Sequence, residues 1–310
     1  MAKTSETTRA YLVLAVMPLF FSSNLVLGRA AVETVDPFTL AFFRWGLAAA
    51  ILVIIAWVAL RAHLDALRAQ WRALLILGFL GMWLCGAIVY LALQVTTATN
   101  ATLIYTASPI FVLLIEAARG RPIGKREMAG IAAALAGVGI IVFKADLGAF
   151  LTFRFNLGDL GILVCAFAWA VYSVVLKRKG LRDLPTLPVF TAIAVVGAVT
   201  LLPFMAIESL ALARFPHTLS AWASILALAI VPSILAFGAY QYGVKAVGPA
   251  ITAIFMYLLP VYGVAMAVFF LGEALAPFHL LGMALVVAGV VLATAPGDLL
   301  ERLKARAAGA

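Results

Sequence analysis

The sequence predicts an all-α integral membrane protein of about ten transmembrane helices, arranged as two inverted five-helix repeats. Three observations lead there. The chain is 65% hydrophobic and 11% charged, with mean hydropathy +1.14. A water-soluble domain is nearer half apolar and a quarter charged, so most of this surface must face lipid. The apolar residues fall into segments of about 18–24 residues, the length that crosses a ~30 Å hydrocarbon layer as a helix. Landmarks in the first half return in the second after a shift of about 151 residues.

The repeat is clearest from Ala98 to Pro109. Thr102, Tyr105, Thr106 and Pro109 follow the i, i+3, i+4, i+7 spacing of one helical stripe, and the stripe returns as Ala253, Met256, Tyr257 and Pro260. Gly120, Gly130 and Gly137 find partners in Gly272, Gly282 and Gly289 after a one-residue slip. The halves are residues 1–150 and 151–310, the second ending in a short basic tail. Five helices per half is an odd number, so the second copy is inverted relative to the first.

The elements follow in order. Met1 to Arg9 is a polar tail. The apolar run from Tyr11 reaches Ala31 without an A-x-A cleavage site, so it is expected to be a retained first helix. A hinge at Val32 to Pro37 carries Glu33 and Asp36. Nine further segments are expected at 38–60, 72–93, 98–117, 126–143, 158–177, 187–207, 220–243, 248–270 and 278–295. A barrel would show alternating segments of ~10 residues instead. Lys and Arg crowd one set of connections, at Arg61, Arg68, Arg72, Arg119 to Arg126, Lys177 to Arg182, and Arg302 to Arg306. The other side holds Arg29, Lys144, Arg154 and Arg214. That bias puts both termini in the cytoplasm of a multi-pass protein. It also accounts for the formal charge of +9 without a nucleic-acid partner, because no basic domain or stacking platform exists. Cys85 and Cys165 lie inside apolar segments, with no disulfide framework or metal spacing. No cofactor is implied.

These residues suggest a family. The chain resembles the EamA-type, two-repeat members of the drug/metabolite transporter superfamily. The resemblance rests on F-F-R-W around Arg44, the Tyr105–Pro109 run, G-D-L-G-I-L from Gly158, W-A-V-Y at Trp169–Tyr172 before Lys177-Arg178, and Pro260 followed by Gly272-Glu273. It covers essentially the whole chain. One departure is Gly120-Arg121, where the second half has Gly272-Glu273. Within the superfamily the chain is most similar to bacterial aromatic amino-acid exporters of the YddG type. That likeness implies helices gathered around a central cavity, alternating access for amino acids, and a bacterial inner-membrane location.

Polar and aromatic residues at mid-span depth are the candidates for lining such a cavity, since lipid-facing positions have no use for them. The expected substrate-binding set is Asn24, Arg44, Trp83, Tyr90, Thr102, Tyr105, Trp169, Tyr172, Tyr240 and Tyr257. Together they offer apolar area with hydroxyl and amide handles. Against this, a Tyr or Trp near a span end is often an interfacial anchor, and a mid-span Thr often bonds its own helix. Arg44 is the only clear charge well inside a span. It either meets a substrate carboxylate or serves structurally, snorkelling outward or latching carbonyls. Pro109 and Pro260 are the expected pivots, because each removes a backbone donor. The small residues Gly130, Ala134 and Gly137, with Gly282 and Gly289, are expected at close helix contacts.

No Asp or Glu falls at mid-span, and Glu116, Glu208 and Glu273 all lie near segment ends. The resemblance implies export of amino acids, aromatic and other small neutral ones, and the missing carboxylate favours movement down a gradient or by exchange. The alternative is a proton-coupled efflux carrier for drugs or other metabolites. An enzyme is disfavoured, since no H-E-x-x-H, G-x-S-x-G or P-loop occurs. The partners expected are a small-molecule substrate and the lipid bilayer. Nothing in the sequence sets an oligomeric state, and a monomer is compatible with it.

Overall fold

The structure, a computed structural model, describes residues 2–146, 148, 156–211, 214–271 and 274–295. The boundary at 150/151, Arg154, Gly272-Glu273 and the basic tail at Arg302 to Arg306 lie outside the described residues. Described residues that are ordered regularly are helical, and no strand occurs among them. The helices are α1 (Ala2–Ala31), α2 (Pro37–Ala62), α3 (Trp71–Leu93), α4 (Ala98–Tyr105 and Ser108–Ala118) and α5 (Lys125–Val142). The second set is α6 (Leu157–Leu176), α7 (Thr186–Ala211), α8 (Leu219–Val247), α9 (Pro249–Ile254, Phe255–Leu258 and Leu259–Leu271) and α10 (Pro277–Thr294). A short helix, Leu64–Ala69, links α2 to α3. Nine of these are long and apolar enough to span a membrane among the described residues. The tenth, α5, has 18 residues and carries Lys125, Arg126 and Glu127 in its first turn.

Packing between the halves shows the inversion. Gly130 of α5 lies so close to α10 that a Cβ there would sit 2.5 Å from the Gly289 carbonyl oxygen. A Cβ on Gly137 would sit 2.5 Å from that of Gly282. As the residue number rises along α5 it falls along α10, so the two helices run antiparallel. Each glycine faces the repeat partner of the other, which is what a two-fold axis between inverted copies requires. The rest of the bundle obeys the same exchange. α1 packs on α8 and α9, α6 packs on α3 and α4, and α2 packs along α7.

Four spans are irregular, in two repeat-related pairs. α3 is π-helical over Phe79–Ile88, and α8 over Ala229–Ala236. α4 breaks after Tyr105, and α9 tightens into a 3₁₀ turn over Phe255–Leu258. π segments are rare and backbone-strained, so they persist where surroundings hold them. The prolines differ from expectation in one respect. Pro109 and Pro260 stand in the first turn of the second half-helix, where a missing N–H costs nothing, and the interruption lies just before each of them.

The ends are pinned by polar contacts. Asp159 completes a reciprocal capping box with Asn156 at the start of α6 and accepts a hydrogen bond from Thr96 Oγ1. This gives the G-D-L-G motif a structural role. Glu208 accepts from the backbone of Phe38 and Thr39 at the start of α2. Asp36 pairs with Arg214 at 2.8 Å. Tyr11 donates to the Thr294 carbonyl at 2.7 Å, tying α1 to α10, whereas Trp71 is exposed under the Arg72 guanidinium.

Candidate functional site

Arg44 is the centre of the molecule's buried polar network. It projects from α2 into the bundle and is 1% exposed, so it does not snorkel. Its Nε donates to Ser233 Oγ at 2.6 Å, and Nη1 donates to Asn24 Oδ1 at 2.8 Å and to the Tyr90 hydroxyl. Tyr90 in turn donates to Asn24 Oδ1 at 2.9 Å. The guanidinium carbon also stands 4.9 Å from the Trp45 ring centroid, a cation–π distance. Every hydrogen-bond partner is neutral, and among the described residues Arg44 makes no ion pair. A desolvated positive charge with only dipoles around it is the arrangement that favours an incoming anion.

The π segment of α8 explains how Ser233 is placed. Pro232 has no N–H, so it cannot donate to the Leu228 carbonyl four residues back. Ser233 Oγ donates to that carbonyl at 2.7 Å, which leaves its lone pairs facing Arg44. Proline, serine and arginine thus form one chain of dependence. In a Pro232→Ala variant the restored N–H competes for Leu228. We expect a roughly 3- to 10-fold loss of transport with little change in thermal stability, the scale of one hydrogen bond. Flux and melting temperature on the same preparation check it.

An aromatic wall faces this cluster. Trp169 and Tyr172 of α6 are stacked, with centroids 5.2 Å apart and planes at 15°. Tyr240 and Phe237 of α8 lie 4.6 and 4.9 Å from Trp169, and Phe21 of α1 lies 5.5 Å away. Their polar atoms link α6 to α8. Ser173 and Tyr240 share a hydrogen bond of 2.6 Å, and Gln241 Nε2 donates to Tyr172 at 2.9 Å. Between wall and cluster is a cavity of about 40 Å³, bordered by Asn24, Cys85, Tyr105, Trp169 and Met256. Ligand pockets start near ~300 Å³, so this space is too small for an amino acid in this conformation. A second space of about 140 Å³, bordered by Ser22, Thr102, Pro260 and Gly263, adjoins it through Leu25 and Leu259. At the opposite, basic end a third of about 280 Å³ reaches Gln241.

The expected site residues divide on this map. Asn24, Arg44 and Tyr90 are joined by hydrogen bonds, and Trp169, Tyr172 and Tyr240 by ring contacts. Tyr105 borders the central cavity, and Thr102 and Pro260 border the adjoining one. Tyr257 is fully buried, with a hydroxyl that finds no partner among the described residues, and its neighbour Met256 reaches the cavity instead. Trp83 stands apart from these groups. It packs against Phe79, Phe38 and Phe204 at 5.0, 5.6 and 5.0 Å, in a cluster on the α2–α3–α7 seam away from the centre. Phe21, Trp45 and Cys85 lie near the centre and were not expected there. Only Trp45, beside Arg44 in F-F-R-W, carried a signal in the sequence. The two cysteines are free and bond each other's helix backbone, Cys85 Sγ to the Cys165 carbonyl and Cys165 Sγ to the Leu84 carbonyl, both at 3.3 Å. Glu116 sits in the last turn of α4, 3.8 Å from Lys177, and so faces the basic end rather than the cavity.

Comparison with known proteins agrees with this architecture. The EamA-like transporter family matches the chain twice, over residues 8–143 and 156–295. A protein of Archaeoglobus fulgidus described as an uncharacterized transporter is 31% identical over 93% of this chain and 98% of its own length. The uncharacterized transporter YyaM of Bacillus subtilis is 27% identical over 79% of this chain and 80% of its own. A crystal structure with 23% identity superposes with a TM-score of 0.74, covering 96% of this chain and 99% of the other, which shows the shared fold. The chain is a multi-pass membrane protein that belongs to the EamA-like transporter family.

Proposed function

We propose that this protein is a secondary carrier that exports amino acids, aromatic and other small neutral ones, by alternating access. It works uncoupled or by exchange, through two inverted repeats spanning 1–150 and 151–310. The observation that carries the reading is Arg44, a buried guanidinium held by neutral groups beside an aromatic wall. A substrate carboxylate would complete the charge pair, and its side chain would lie on Trp169, Tyr172 and Phe237. The described buried carboxylates support uncoupled movement: Asp36, Glu116, Glu127, Asp159 and Glu208 are all engaged near helix ends. The basic end, where Lys177, Arg182 and Lys245 gather, supports a cytoplasmic face on that side and an inner-membrane location with both termini cytoplasmic.

The test is flux in liposomes containing only this protein, loaded with labelled phenylalanine, methionine or threonine, with and without a pH gradient. Flux down the amino-acid gradient alone is expected. Flux that requires the pH gradient would replace the uncoupled mechanism with a proton-coupled one. No amino-acid flux at all would refute the substrate class.

A further inference from the structure

The pocket at the basic end is built differently from the central cluster. It lies among the C-terminal ends of α6 and α8 and the start of α7, with about 280 Å³ of space. Apolar side chains, Leu181, Val189 and Val244 among them, form part of its wall. Its polar lining includes Lys177, Arg182, Thr186, Gln241 and Lys245. Lys177 is 3.8 Å from Glu116, and Arg182 is 3.4 Å from Asp183. Lys245 pairs with no carboxylate among the described residues; it donates to the Leu184 carbonyl. The deepest polar group is Gln241, 2% exposed, whose Nε2 is occupied by Tyr172 and whose Oε1 has no partner among the described residues. A buried amide oxygen without a donor is destabilising, so this one calls for an N–H.

Gln241 and Lys245 are four residues apart on α8, hence stacked on one face with Cβ atoms ~5–6 Å apart. One offers an ammonium and the other an unfilled acceptor. A single small molecule that satisfies both must carry an anion and an N–H donor a few bonds apart, with an apolar remainder for the wall. We infer that this pocket is a second binding site for a zwitterionic α-amino acid, its carboxylate on Lys245 Nζ and its ammonium on Gln241 Oε1. It rests on the amino-acid reading of the carrier. It places a loading or release station on the basic side of the Tyr172–Gln241 contact. Opening of that contact then delivers the ligand to Trp169 and Arg44.

The assignment is tested by occupancy rather than transport. Thr186, which lines the pocket and is partly exposed, is replaced in Thr186→Cys, and the purified protein is alkylated with a bulky polar maleimide. Cys85 and Cys165 are buried, so modification reports on position 186. Phenylalanine is expected to slow alkylation about 5-fold or more, whereas phenylalaninamide and 3-phenylpropionate, each lacking one charge, protect far less. Protection by phenylalanine is expected to vanish in Lys245→Met, return in Lys245→Arg, and persist in Arg44→Ala. Equal protection by either analogue, protection that survives Lys245→Met, or no protection by phenylalanine would overturn the assignment. Failure of the carrier reading shows separately. Protection without liposome flux would keep this site and refute the transport of amino acids, and flux without protection would do the reverse.

Discussion

Replacing Arg44 with alanine is expected to cut amino-acid flux by about 100-fold or more, the cost of removing one partner from a desolvated charge pair. The same change should leave folding and membrane insertion intact. Asn24 Oδ1 keeps its donor, because Tyr90 still bonds it at 2.9 Å, and Ser233 still donates to Leu228 at 2.7 Å. No buried polar group on these partners is orphaned by the loss. A charge at mid-bilayer costs ~2.5–3.5 kcal/mol to insert, so its removal should help insertion. Arg44→Lys should recover only part of the activity. A single ammonium on a flexible stem cannot hold Ser233 Oγ and Asn24 Oδ1 in the planar geometry of a guanidinium. Flux in liposomes, with size-exclusion profile and melting temperature as folding controls, checks all three statements. A purely structural Arg44 would reverse the pattern, with unfolding in place of inactive but intact protein.

Gly137→Val is expected to lower the unfolding temperature by roughly 5–10 °C, an overpacking cost of about 3 kcal/mol in a chain of this size. The added Cβ would stand 2.5 Å from the Gly282 carbonyl oxygen and 2.8 Å from the Val286 nitrogen. Both are backbone atoms, so no side chain can rotate away, and α5 must separate from α10. Gly139→Val is the control. Two residues along the same helix, it has nothing within 4 Å and should melt with the parent protein. Because α5 and α10 are joined across the two-fold, Gly289→Val should behave like Gly137→Val; its Cβ meets Gly130 O at 2.5 Å. Thermal denaturation of the purified variants distinguishes this from a local effect, which would leave all of them near the parent value.

Much of the architecture was legible because lipid writes it into composition: spans need length and apolarity, and the odd number per half implies inversion. α5 shows the limit of that reading. Three charges in its first turn keep it below the apolarity of the other spans, yet its small-residue face packs along α10. Arg44 was legible as a candidate because a charge inside a span is rare. Its snorkelling alternative fell to tertiary contacts with Ser233, Asn24 and Tyr90, which lie 189, 20 and 46 residues away in sequence. The surroundings of Trp83 were not legible for a local reason: Phe79–Ile88 is π-helical, so a 3.6-residue period does not give its direction, and its ring meets Phe204. The breaks in α4 and α9 were expected at the prolines and fall just before them, since proline is at ease in a helix's first turn. Phe21 and Cys85 are ordinary apolar residues in apolar helices, and only packing distinguishes them.

The central claim is that Arg44 receives a carboxylate, and the most direct measurement is a comparison of phenylalanine with phenylalaninamide as substrates. Flux of each is measured in liposomes with the parent protein and with Arg44→Ala, after subtracting leakage through protein-free liposomes. The parent protein is expected to carry phenylalanine at least about 30-fold faster than the amide, and Arg44→Ala should lose that preference along with most of the flux. Equal transport of both compounds by the parent protein, or a preference that survives Arg44→Ala, would contradict the account.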